Sequence, residues 1–302
     1  MGRTNTKKLV QGAMIAAIFG VFSILDTYTG SLFDIYLCFI MVIPLVWYGY
    51  NYDLKSNIIV CIVSMFVITM MGLPFFIASS ISSCGVGLYL GEGLKKRWKK
   101  EWILLGTFVI LFVSNLLIFE AFAGLLGVDL ISEVTMTYQE LCQWFPMLAQ
   151  RISLQFALSL IPLCLILMST MEMYIIVMFC QLALTRLKVE FPGQFHLALM
   201  HMSPLLGIVI SLATFISYLL LHQFHMNYLV IYYIYYLGVL ILGLQGLSLV
   251  SFILIIKKKN WFILLAYVLI FIPYVNMIYV VLGLLDIFSD LRGNILYNSN
   301  NE

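Results

Sequence analysis

Residues 75–126 read FFIASSISSCGVGLYLGEGLKKRWKKEWILLGTFVILFVSNLLIFEAFAGLL. Two apolar runs, each long enough to approach or exceed the ~20 residues that cross a bilayer as helix, flank the basic knot Lys95-Lys96-Arg97-Trp98-Lys99-Lys100. Such a knot is held on the cytoplasmic side when the hairpin around it inserts. The arrangement repeats along the chain. Further clusters stand at Arg3/Lys7/Lys8, Lys55, Arg186/Lys188 and Lys257/Lys258/Lys259, so that every Lys and Arg except Arg151 and Arg292 lies in alternate gaps between apolar runs. Those runs sit at about 9–25, 32–49, 56–73, 75–94, 102–126, 152–185, 203–221, 227–256 and 261–285. The pattern predicts an all-α, polytopic membrane bundle of eight or nine spans with its N-terminus in the cytoplasm.

Composition leads to the same class. The chain of 302 residues is 63% hydrophobic and 10% charged, with a mean hydropathy of +1.05, whereas soluble domains carry about 25% charged residues. Lipid is therefore the solvent. The basic clusters are short and separated by lipid-length runs, which argues against nucleic acid as a partner. Six cysteines (Cys38, Cys61, Cys84, Cys142, Cys164, Cys180) show no CxxC or Cys/His spacing, so neither a disulfide framework nor a zinc site is expected. No cofactor motif is present, and without GxSxG or a P-loop no enzyme class is indicated. Residues 1–25 resemble a signal peptide, but Asp26-Thr27-Tyr28-Thr29 offers no small-x-small cleavage site; the segment reads as an uncleaved first helix.

The expected organisation is a six-helix body over 1–188 and a three-span extension over 189–302 with a short polar tail. Pro273 and Asn276 interrupt the last run. One kinked span there would leave the C-terminus outside; two half-helices dipping in and out would leave it inside. Only Arg292 is at stake in the charge rule. The single substantial outer loop, 127–151, is expected to start a short interfacial helix at Ser132-Glu133 and to rest Trp144, Phe145 and Met147 on the bilayer surface.

Several constellations are candidates for function. In the fourth run Ser79, Ser83, Gly87 and Gly91 stand four apart and form one helical stripe without bulk. In lipid such a stripe allows close helix packing, or else it walls a cavity. Ala13 and Ala17 form a small-xxx-small pair at the basic end of the first run, suited to intramolecular packing or to docking a second membrane subunit. Glu172 is the only charged residue between Arg151 and Arg186, about 5 Å from the midpoint of its run by helical rise. A charge at that depth costs a few kcal/mol and faces the bundle interior; Gln155, Gln181, Gln245, Asn115 and Asn276 are its candidate partners. Asp26, Asp34, Asn115 and Glu120 fall near the outer ends of their runs, where they either frame an outward-facing site or are solvated helix ends. Lys95–Lys100 and Lys257–Lys259 suit contact with anionic lipids.

The stretch Leu9-Val-Gln-Gly-Ala-Met-Ile-Ala-Ala17, the glycine-rich run ending in Gly91-Glu-Gly-Leu-Lys-Lys-Arg97, and the tail Leu282-Gly-Leu-Leu-Asp286 through Asp290-Leu-Arg292 together resemble the YybS-like family of bacterial membrane proteins. The first six runs also resemble the substrate-binding S components of energy-coupling-factor vitamin transporters. That resemblance implies that Ala13 and Ala17 meet a transmembrane coupling subunit served by ATPases. It also implies an outward-facing ligand site near Asp26, Ser82, Asn115, Glu120 and Gln155, to which the intramembrane Glu172 is added. The three further runs at 203–285 depart from the S-component pattern. The expectation is a bacterial cell-membrane subunit, related to transporters, that binds a small molecule and acts with a membrane partner. The alternative is a structural or assembly protein of the envelope.

Overall fold

The computed structural model describes residues 2–127, 129–144, 153–193, 202–223, 228–257, 262, 265–266, 269, 273–289 and 291–292. Its regular elements are all helical among these residues, as lipid requires, because a helix satisfies its backbone polar groups within one segment. They are α1 (Gly2–Thr29), α2 (Asp34–Asn51), α3 (Leu54–Met71), α4 (Pro74–Lys95), α5 (Lys100–Leu116), α6 (Leu130–Trp144), α7 (Leu154–Ser159), α8 (Ile161–Thr185), α9 (Pro204–His222), α10 (Leu229–Ile256) and α11 (Pro273–Phe288). A π-helical turn at Leu117–Ala121 and a single α-turn at Ala123–Leu126 follow α5. Among the described residues seven helices are long and apolar enough to cross a membrane, and Tyr36–Asn51 and Val275–Phe288 are shorter apolar helices.

Local chemistry sets the boundaries. The Asp53 carboxylate accepts from Ser56 N at 3.2 Å and caps α3. Pro74 opens α4 in its first turn, where a missing N–H costs nothing. The apolar run 152–185 divides into α7 and α8 because Pro162 cannot continue the helix that precedes it. Helix α6 begins two residues before the expected Ser132, because Asp129 caps it by accepting from Ser132 N at 3.1 Å. Trp144 is exposed, while Phe145 and Met147 lie outside the described residues.

The chain divides into two compact units, Met1–Gly193 and Gln194–Glu302. In the first, helix directions follow from which residues meet. A Cβ on Gly12 would touch Val60, and one on Gly20 would touch Val67, so α1 and α3 run parallel. Gly87 lies against Leu45 and Gly91 against Gly49, so α2 and α4 run parallel as well. Gly106 abuts Tyr89 and Gly85 abuts Ile110, which makes α5 antiparallel to α4. The basic gaps thereby gather at one end. Lys8 pairs with Asp53, Lys95 Nζ donates to Tyr52 O at 2.5 Å, and Arg97 donates to Glu190 at 2.6 Å. Hydrogen bonds from Lys8 and Ser56 hold the Asp53 carboxyl well below the usual carboxylate range, so the first of these links persists through mild acid. The core of this unit joins Phe19, Met41, Leu45, Tyr48, Ile68 and Phe76 from four helices.

In the second unit α9 and α10 are antiparallel, with Thr214 against Gly238 and the Tyr218 ring tilted against that of Tyr235. The last helix packs closely against α10. Asn276 lies against Gly243, Tyr279 against Gly246, and Gly283 against Gly246 and Leu242. Farther along, Asp286 meets Gln245, and Arg292 meets Ser248 and Phe252. From Asn276 to Asp286 the partners stay within residues 242–246 of α10, so α11 crosses α10 obliquely, and only Arg292 reaches on to Ser248 and Phe252. Ala266, between the two helices in sequence, packs with Leu247 and Tyr279. Arg292, beside Ser248 and Phe252, lies toward the Ile256 end of α10. A topology reporter fused after Arg292 and another inserted after Lys257 are expected to be labelled by membrane-impermeant reagent from the same side; labelling from opposite sides would refute this placement of Arg292.

Candidate functional site

Four helices of the first unit line a cavity of about 90 Å³ whose lining includes Cys38, Ser79, Ser82, Ser83, Asn115 and Glu172. Each polar side chain arrives by a local rule. Glu172 sits near the middle of α8, and Ser169 lies one turn earlier on the same face. Asn115, 7% exposed, ends the regular part of α5. The π-helical turn that follows, closed by Phe122 N on Leu117 O at 2.8 Å, widens the backbone beside the cavity, and Phe119 lines it. Turns of this kind recur at functional sites.

The hydrogen bonding is directional. Asn115 Nδ2 donates to Glu172 Oε2 at 2.8 Å and to Ser169 Oγ at 3.1 Å. Ser79 Oγ donates to Phe75 O at 3.1 Å, Ser83 Oγ to Cys38 O at 3.0 Å, and Ser169 Oγ to Leu165 O at 2.8 Å. The hydroxyl hydrogens are thus engaged by backbone carbonyls. What the cavity presents to an occupant is acceptor oxygen: Glu172 Oε1, Asn115 Oδ1 and the hydroxyl lone pairs.

The Ser/Gly stripe meets different surroundings at different depths of α4. Gly87 and Gly91 pack against α2, Ser79 faces the cavity, and Ser83 does both. Of the expected ligand residues, the fold brings Ser82, Asn115 and Glu172 together. Asp26 is buried elsewhere, at the far end of α1, where Ser31 Oγ donates to it at 3.3 Å. Its neighbour Asp34 reaches the cavity only through Cys38, whose thiol donates to it at 3.4 Å. Glu120 and Gln155 are exposed. The π-turn carries Glu120 outward, and Gln155 belongs to the short α7, which ends before the bundle helix begins. Among the other candidate partners of Glu172, Gln181 donates to Gly193 O and Gln245 to Asp286. Ser169, Met168 and Cys38 were not singled out in the sequence; only the i, i+3 spacing of Ser169 to Glu172 could have flagged one of them.

Ala13 and Ala17 are exposed on the outer face of α1, flanked by exposed Val10, Met14, Ile18 and Val21. The opposite face, Gly12, Ile15, Ala16 and Phe19, is buried. The pair is therefore not used for packing within this unit.

Replacing Asn115 by Leu removes the donor that holds Glu172 and is expected to lower stability by roughly 1–3 kcal/mol, with much of that recovered in Asn115→Leu/Glu172→Leu. Thermal unfolding of both proteins in lipid nanodiscs measures this; an additive double variant would show that the pair is not coupled.

No curated protein and no solved structure matches the chain significantly. One family does: its profile, described as "Predicted membrane protein (DUF2232)", matches residues 17–287, spanning both units and every helix named above but part of α1 and of α11. The chain belongs to the DUF2232 family of predicted membrane proteins.

Proposed function

We propose that this protein is a small-molecule-binding membrane subunit, related to transporters, that takes its ligand in the Glu172 cavity and acts with a membrane partner rather than as an enzyme. The observation that carries the reading is the cavity itself. A carboxylate kept at membrane depth costs a few kcal/mol, and here it lines the cavity with one hydrogen-bond donor, Asn115, among the described residues. No hydroxyl of the cavity donates to Glu172 among the described bonds, so the groups are arranged to hold an occupant and not to activate a serine nucleophile.

The S-component resemblance and the exposed Ala13/Ala17 face supply the second half of the reading. Small residues on a lipid-facing stripe permit a partner helix to approach at close backbone distance. In this reading the basic end is cytoplasmic in a bacterial inner membrane, and the cavity opens toward the opposite side. Ala13→Leu/Ala17→Leu is expected to abolish co-purification of a coupling subunit and its ATPases in mild detergent while leaving the unfolding temperature within a few degrees of wild type. Wild-type protein that purifies alone under those conditions counts against the partner.

A structural or envelope-assembly role is the second reading, favoured by exposed Lys95, Lys96, Arg97 and Lys99 at one end of the unit. Each such residue near an anionic surface contributes about 1 kcal/mol. Lys258 and Lys259 lie outside the described residues. If this role is the main one, changing these four residues to Gln lowers retained phosphatidylglycerol severalfold and impairs growth, whereas Ala13→Leu/Ala17→Leu is silent.

A further inference from the structure

A second, larger space adjoins the Glu172 cavity. The groove beneath α6 has a volume of about 570 Å³ and is lined chiefly by apolar side chains, including Leu130, Val134, Leu141, Leu160 and Leu165. Phe119 and Met168 line both spaces, so the two chambers abut across that pair of side chains. The groove is of the size and character of an ordinary ligand pocket. The inner cavity, at about 90 Å³, has room for only a few heavy atoms, since a water molecule takes about 30 Å³ of liquid.

We propose that the ligand is an amphiphile with a hydrogen-bond-donating, cationic head at Glu172 and a single apolar chain in the groove beneath α6. This rests on the binding-subunit reading above and adds the chemical class. The head chemistry follows from what the inner chamber leaves open. Glu172 Oε1 and Asn115 Oδ1 have no protein donor among the described residues, and the Ser79, Ser83 and Ser169 hydroxyl hydrogens point to backbone carbonyls. A primary ammonium brings three donors and no acceptor, which matches that set, and its charge pairs with the carboxylate. An anionic head would face Glu172 directly. The chain follows from position: the route out of the head chamber past Phe119 and Met168 opens onto apolar surface, where each methylene retains contacts that water would not give.

The test uses the full chain in phosphatidylcholine nanodiscs, with native mass spectrometry reading single-ligand adducts of dodecylammonium, butylammonium and dodecanoate. Dodecylammonium is expected to saturate one site at a concentration about tenfold or more below butylammonium, and dodecanoate to give no saturable adduct. Glu172→Gln is expected to weaken dodecylammonium by about tenfold or more. Met168→Trp, which fills the junction, is expected to weaken dodecylammonium while leaving butylammonium unchanged; Val134→Trp, which fills the groove from α6, serves the same purpose if the first variant does not fold. Equal binding of the two amines, both weakened by Glu172→Gln, would keep the binding site and overturn the two-chamber ligand. Saturable binding of dodecanoate would overturn the head chemistry. Amine binding indifferent to Glu172→Gln and to both groove variants would overturn this proposal and the binding-subunit reading together.

Discussion

Helices α2 and α4 meet backbone to backbone, and the first unit is built on that contact. A Cβ on Gly91 would come within 3.0 Å of the Gly49 Cα, and one on Gly87 within 2.6 Å of the Leu45 Cβ. Lipid tails are as apolar as the side chains they contact, so helices in a membrane gain little from hydrophobic burial and much from close van der Waals fit. Glycine at these two positions makes that fit available. Farther along the same stripe serines replace the glycines, and Ser83 bonds across to the Cys38 carbonyl at 3.0 Å. There the helices stay registered, but the space beside Ser79 and Ser82 is left open. One stripe therefore serves as a seam at one depth and a cavity wall at another.

The two units treat a membrane-depth carboxylate differently. Asp286, 2% exposed, accepts from Gln245 at 2.6 Å and from Arg292 at 2.8 Å, and Arg292 also donates to Ser248 at 2.9 Å and lies 5.4 Å from the Phe252 ring centroid. That network satisfies both charges and ties the end of α11 to α10. Removing one member of such a pair leaves an uncompensated charge, which typically costs 3–5 kcal/mol. Among the described residues Glu172 has the single donor Asn115, and it lines the cavity. Asp286 is thus explained by structure alone, while Glu172 is left with unused acceptor capacity beside a partly open space.

Much of the architecture was legible before any coordinates. Helical class and the positions of the apolar runs followed from composition and hydropathy, and the gathering of Lys8, Lys95 and Arg97 at one end agrees with the alternation of basic gaps. Within the site, Glu172 stood out as an isolated charge, and Asn115 was one of five amides that might have met it. Ser82 was reached through a family resemblance. Glu120 and Gln155 were equally plausible on paper and proved exposed, because a π-turn and a proline-bounded break redirect the chain beside them. No hydropathy pattern reports such local departures from α-helical phase.

The sequence by itself determined where the chain is helical, where it must be apolar, and which gaps share an end. Each of those properties is imposed by lipid and water on one segment at a time. Only the tertiary structure decided that Asn115 and not another amide holds Glu172, that the Ala13/Ala17 face stays free, and that Arg292 lies toward the Ile256 end of α10. These outcomes depend on how helices rotate and cross when pressed together. In a membrane that choice turns on close-range packing between particular side chains, a property of pairs of segments that no single segment encodes.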